Sequence, residues 1–271
     1  MKDVLRSAAM AFSMFSIVPM PRVEWKKENM RYMLACLPLV GIIIAAALYL
    51  WMLLSRALGF GSVLYAAGLT LLPVLLSGGI HLDGFCDTAD ALSSHAAPER
   101  KREILKDSHT GAFAILYAVF WFVLELALCT ELAQSQSAAL CTELAQSQSA
   151  ALCAGVLQIF SRALGAFASV VLPGSGSTGL LAAFRGAAEK RAAWVLGVWM
   201  LLCAAALCAL SLPGGVVATA SAALCFTYLR RMAAREFGGM SGDLAGFLIT
   251  LSQPVMLLGY VLAERMAAIW F

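Results

Sequence analysis

Long runs of apolar residues, each closed by a knot of polar or basic positions, set the pattern of this chain. A helix needs about 20 such residues to cross a hydrocarbon core. Seven stretches qualify as candidate spans: 34–54, 57–80, 111–130, 151–173, 192–212, 214–229 and 244–263, the sixth being the shortest. The apolar segment 7–18 is briefer. Lys2 and Arg6 precede it, and Pro19-Met20-Pro21-Arg22 follows it where a signal peptide would carry a small-residue cleavage site. It reads as a short interfacial or re-entrant helix. The predicted fold is all-α: a polytopic transmembrane helix bundle of about seven spans plus that N-terminal helix, forming one integral membrane domain over residues 1–271.

Composition agrees with this reading. Apolar residues make up 61% of the chain and charged residues 13%, and the mean hydropathy is +0.83. These values lie outside the range of soluble globular proteins. The basic residues are distributed unevenly. If the seven spans alternate from a cytoplasmic N-terminus, 16 of the 19 Lys and Arg fall on the cytoplasmic side. Only Arg56 and Arg265 fall on the other, and Arg162 lies inside a span. Segments 81–110, 174–191 and 230–243 then form the cytoplasmic loops. The net charge of +3 is juxtamembrane, which suits an anionic leaflet and gives no reason to expect nucleic acid. The eight cysteines form no CxxC pair and read as small packing residues.

Residues 127–138 and 139–150 are the same twelve letters, ALCTELAQSQSA. Twelve residues advance a helix by about 120° beyond whole turns, so both copies cannot keep one face buried. The second copy is expected in a tolerant outer loop or a helix extension, without catalytic meaning, with Glu131 and Glu143 solvated. The segment PGSGSTG, from Pro173 to Gly179, reads as a flexible connector.

Chemistry concentrates in GGIHLDGFCDTADA at 78–91. Asp83, Asp87 and Asp90 are spaced i, i+4, i+7 and would lie within about 60° of one another on a helix. Carboxylates this close repel unless a cation sits between them or their pKa values rise. Hard oxygen ligands select Mg²⁺ or Mn²⁺, and Mg²⁺ usually brings a phosphate with it. Further along, Lys106-Asp107-Ser108-His109-Thr110-Gly111 opens a span, and Asp107 or Ser108 can cap that helix. Between these motifs, residues 99–103 read as a solvated amphipathic helix. Gly238-Gly239-Met240-Ser241-Gly242-Asp243 is a glycine-rich turn before the last span. It would let a ligand approach the backbone closely, with Asp243 either as an N-cap or as a functional acid. Arg162 at mid-span demands a partner: Glu125, or a substrate phosphate. Gln253 and Pro254 could kink the last span and re-satisfy freed backbone groups.

The motifs GGIHLDGFCDTADA, LKDSHTGAFA at 105–114, FSR at 160–162 and GGMSGDLAG at 238–246 together resemble the cobalamin synthase family, the adenosylcobinamide-GDP ribazoletransferases. The early FSIVPMP and LPLVG segments are similar to it too, so the resemblance runs from about residue 10 to 260. Two departures stand out. The family commonly has Arg where this chain has His109, which would make a phosphate contact there weaker and pH-dependent. It often has Gly where this chain has Ala91. The resemblance implies a transfer in which a hydroxyl of α-ribazole, or of its 5′-phosphate, attacks the cobinamide-linked phosphorus of adenosylcobinamide-GDP and GMP leaves. It implies Mg²⁺ on Asp83, Asp87 and Asp90, and Asp90 or Asp243 as general base with His81 as a rival. It further implies substrate contacts at Asp107, Ser108, His109, Arg162, Gly239 and Ser241, and it allows a homo-oligomer or a complex with other cobamide-assembly enzymes. Two other classes compete. A CDP-alcohol phosphotransferase would show D-x2-D-G-x2-A-R, which this chain lacks. A divalent-cation transporter would want acids near the bilayer midplane, where only Glu125 offers one.

Overall fold

The computed structural model describes residues 2–107, 109–134, 143–176, 180–188 and 191–270. Its elements are helices. An amphipathic α1 (Lys2–Phe15) and a single turn α2 (Lys27–Met30) precede the long apolar α3 (Met33–Ala57). Then come α4 (Ser62–Leu76), α5 (Ile80–Ser93), α6 (Pro98–Ile104), α7 (Ala112–Gln134) and α8 (Glu143–Val171). The chain continues through α9 (Leu180–Ala187), α10 (Ala192–Leu210) and α11 (Leu212–Met232). A π-helical turn (Ala233–Phe237) follows, and α12 (Gly242–Trp270) ends the fold.

Among the described residues, six helices are long and apolar enough to cross a membrane: α3, α7, α8, α10, α11 with its π turn, and α12. The span expected at 214–229 is longer than its apolar core suggested, because α11 starts at Leu212 and runs through Phe237. The span expected at 57–80 is different in kind. Helix α4 stops after 15 residues, and α5 leaves it at 90°. Glycine makes this break possible: Gly78 (φ 64°) and Gly79 (φ 75°) both sit in the left-handed region. Their N–H groups return to the carbonyls of Leu75 and Val74, closing α4, while Leu76 accepts the N–H of Ile17 from the end of α1.

Segment 81–110, expected as a loop, is therefore largely helical. Helix α5 lies across the starts of α7 and α12. Helix α6 is amphipathic as expected, with Glu99, Arg100 and Glu103 exposed, but its other face is docked on the fold. Lys101 is buried and ion-paired with Glu236 of the π turn, and Arg102 donates to the Phe237 carbonyl at 3.4 Å. The connector after α8 is pinned in its first half. Gly174 and Met240 form a parallel bridge, with Met240 N–H donating to Pro173 at 2.7 Å and Ser175 N–H to Met240 at 3.0 Å.

Small residues let the central helices close. A Cβ at Gly41 would lie 2.7 Å from the Ile159 Cα, and one at Gly155 would lie 2.8 Å from the Ala45 Cβ, so α3 and α8 touch backbone to backbone. Buried polar groups join the inner helices. Trp121 donates to the Thr250 carbonyl at 2.9 Å, Gln158 to Gln253 at 3.4 Å, and Gln253 to Ser161 at 3.3 Å. Gln253 thus ties α12 to α8 through side chains rather than repairing backbone beside Pro254. The outer faces carry Leu50, Val123, Trp194 and Leu201, all strongly exposed, as a lipid-facing surface requires. The seven described cysteines are free thiols. The second copy of the duplication supplies the opening of α8 from Glu143, a helix extension as anticipated. Glu131 is exposed and pairs with Arg265 at 2.6 Å; the surroundings of Glu143 lie outside the described residues.

Candidate active site

The site forms where α5 crosses α12. The crossing depends on two glycines. A Cβ at Gly84 would stand 2.8 Å from the Asp243 carbonyl oxygen, and one at Gly246 would stand 2.9 Å from the His81 carbonyl oxygen. Phe85 and Phe247 stack beside them at 5.5 Å. This contact brings Asp83 and Asp87, one helical turn apart on α5, to the first turn of α12 and Asp243. Burial, and then the charges of Asp83, Asp243 and Asp90, push the Asp87 carboxyl up to about 6. Removing charge repulsion here calls for a proton or a cation.

Asp90 has a different occupation. Its carboxylate accepts the N–H of Gly111 at 2.6 Å and of Ala114 at 2.8 Å. It caps α7 from another helix, the role expected of Asp107 or Ser108. Asp107 instead closes a local turn, accepting the N–H of His109 at 3.0 Å and meeting its Nδ1 at 2.6 Å. These bonds hold the Asp107 carboxyl below the usual carboxylate range. Both side chains are largely exposed. Ser108 lies outside the described residues.

The turn before α12 is held by its own backbone. Gly238 (φ 70°) and Gly239 (φ 143°) need glycine conformations, and a Cβ at Gly239 would fall 2.5 Å from the Gly174 carbonyl carbon. Ser241 caps α12 by accepting the Leu244 N–H at 3.2 Å. The cap role weighed for Asp243 therefore belongs to Ser241, and the close approach at Gly239 is to protein backbone.

His81 is buried, stacked on Phe15 at 5.6 Å between ring centroids, and its Nε2 has no hydrogen-bond partner among the described residues. Arg162 is 1% exposed and donates to the carbonyl of Gln158 at 3.1 Å and to its Oε1 at 2.7 Å. The ion pair with Glu125 does not form: Arg162 Nε and Glu125 Oε2 are both buried without partners. Arg162 and His81 instead share a cavity of about 20 Å³, room for one water.

Among the described residues, no group of three or more His, Cys, Asp or Glu is placed to hold a metal ion. The three-aspartate set expected from spacing is not assembled, because Asp90 turns to α7. Mg²⁺ is ordinarily held by one or two carboxylates together with substrate phosphates, and Asp83 and Asp87 fit that smaller demand. A larger pocket of about 160 Å³ opens beside Asp83 and Asp243, walled by α1, α3, α9 and α12. Sequence reasoning did not find this pocket. Its polar edge comes from the motifs at 78–91 and 238–246, but its apolar wall is scattered over α1, α3, α8, α9 and α12 and has no spacing rule.

Comparison with known proteins identifies the family. The chain is 36% identical over 96% of its length to a protein of Lachnoclostridium phytofermentans called adenosylcobinamide-GDP ribazoletransferase, covering 95% of that relative. Relatives of the same name from Clostridium perfringens and Geobacillus kaustophilus are 29% and 30% identical, over 96% and 94% of this chain and 100% and 95% of their own lengths. No solved structure matches. The family model described as Cobalamin-5-phosphate synthase matches residues 7–261, including α5, the Gly84–Gly246 crossing and Asp243, and the chain belongs to that family.

Proposed function

We propose that this chain is an adenosylcobinamide-GDP ribazoletransferase that works at the cytoplasmic face of the inner membrane with Mg²⁺. The observation that carries this reading is the α5–α12 crossing, which gathers Asp83, Asp87 and Asp243 at one membrane end beside an open pocket. A hydroxyl oxygen of α-ribazole, or of its 5′-phosphate, attacks the cobinamide-linked phosphorus of adenosylcobinamide-GDP. The new P–O bond forms as the bond to the GMP oxygen breaks. Asp83 and Asp87 would hold Mg²⁺, which supplies charge neutralisation for the diphosphate. Asp243, released from capping by Ser241, accepts the proton of the attacking hydroxyl. Asp90 fixes α5 to α7, so that the two carboxylates upstream of it hold their place. Most basic residues share this end of the bundle, which supports the cytoplasmic orientation.

The test is GMP release by the purified protein in lipid nanodiscs. The reading requires release that depends on both substrates and on Mg²⁺ and stops with chelator. CMP release from a CDP-alcohol would overturn it. A cysteine placed at His95 should be labelled only from the cytoplasmic side of cells.

A further inference from the structure

We infer that the pocket beside Asp83 and Asp243 seats the aromatic base of the acceptor nucleoside, holding it by stacking and apolar contact. This deepens the ribazoletransferase reading and rests on it. The two substrates between them present a corrin, a guanosine, a diphosphate, a ribose and a dimethylbenzimidazole. The pocket, about 160 Å³, is far too small for a corrin. Among the described residues no Lys or Arg lines it, so nothing in its apolar interior would hold a diphosphate. Its walls are apolar, with Phe15, Leu37, Phe184 and Ile249 all on the lining. Guanine would bury several donors and acceptors there, at a cost for each one left unpaired.

Dimethylbenzimidazole asks for less. It is flat and apolar, and when attached to ribose it keeps a single unsubstituted ring nitrogen. The pocket offers a stacked pair of rings, Phe15 on His81 at 20° between planes. Its buried polar groups are few. The Ser169 hydroxyl is already donating to the Gly165 carbonyl at 2.8 Å. The ribose joined to that base would then stand at Asp83 and Asp243, where the attack is required.

Ala245 lines the pocket, is only partly buried, and lies one turn from Ile249. The experiment is Ala245→Leu in nanodiscs, with KM measured for each substrate and binding of labelled α-ribazole measured by equilibrium dialysis without the nucleotide substrate. We expect the KM and Kd for α-ribazole to rise at least tenfold, with the KM for adenosylcobinamide-GDP within twofold of wild type. If Ala245→Leu does not insert, Leu37→Ala removes a wall and should raise the α-ribazole KM several-fold, again alone. A rise for adenosylcobinamide-GDP alone would place guanine in the pocket and overturn the inference. So would equal rises for both substrates, or no rise in an inserted variant. Wild-type protein that releases no GMP overturns the function itself, whereas normal wild-type turnover with unshifted variants overturns only this pocket.

Discussion

The Asp90 carboxylate reaches from α5 to the first turn of α7, accepting the Gly111 N–H at 2.6 Å while its other oxygen takes Ala114 at 2.8 Å. A Cβ at Gly111 would sit 2.7 Å from that carboxylate, so glycine is what allows the approach. An aspartate that spacing alone assigns to a metal is thereby committed to joining two helices.

Asp90→Ala should therefore act on stability. Two helix-end donors lose their acceptor, at about 1 kcal/mol for a typical cap and up to about 2 kcal/mol at a buried one. The thermal midpoint of the purified protein should fall. Asp90→Asn, which keeps one acceptor oxygen, should fall less. Midpoints measured by fluorescence-detected size exclusion check this.

Asp83→Asn should spare stability and abolish transfer. Removing one anionic ligand for the metal is expected to lower turnover by at least ~100-fold, given that such charge stabilisation amounts to several kcal/mol. Near-normal GMP release with normal expression would remove Asp83 from the metal site.

Mg²⁺ affinity should depend on pH through Asp87. Its carboxyl is raised to about 6 by burial and then by the neighbouring acids, so it holds a proton below that pH and is ionised above it. A protonated carboxyl cannot ligate, and metal binding must expel the proton. The apparent Mg²⁺ affinity should be level above about pH 7 and fall roughly tenfold for each unit below about pH 6. Calorimetric titration against Mg²⁺ at several pH values measures it, and Asp87→Asn should flatten the slope.

Gly84→Ala should cost both stability and turnover. Its Cβ would meet the Asp243 backbone at 2.8 Å, so α5 and α12 must separate. Overpacking of this kind costs about 1–3 kcal/mol. The spacing between Asp83 and Asp243 changes with it, and kcat should drop more than the midpoint shift explains.

Deleting residues 139–150 should preserve membrane insertion and activity. The deletion removes the opening of α8 from Glu143 to Ala150 but sets the same eight letters, ELAQSQSA of 131–138, directly before Ala151, so the start of α8 is rebuilt from the first copy. GMP release by the shortened protein is the measurement.

Much of this was readable from the chain because hydrophobicity and charge are strong local signals. The apolar runs that became α3, α7, α8, α10 and α12 stand in the sequence, as does the cluster that carries Asp83 and Asp87. The break at Gly78-Gly79 was less visible, because an apolar run does not show its direction and only the paired glycines hint at a turn. The role of Asp90 was hidden for another reason. A cap from a distant helix has no spacing rule, and helical phase alone grouped Asp90 with its neighbours. The buried Arg162 misled in a third way: Glu125 matches it in charge and depth, yet a glutamine on its own helix takes the guanidinium.

The short fourth helix carries a consequence for the surrounding lipid. Fifteen residues rise about 22 Å, against about 30 Å of hydrocarbon in an ordinary bilayer. A bilayer that meets this mismatch by thinning locally would bring headgroups and water toward α5. Such a depression would let a water-borne nucleoside and an amphiphilic donor meet without either one crossing the membrane.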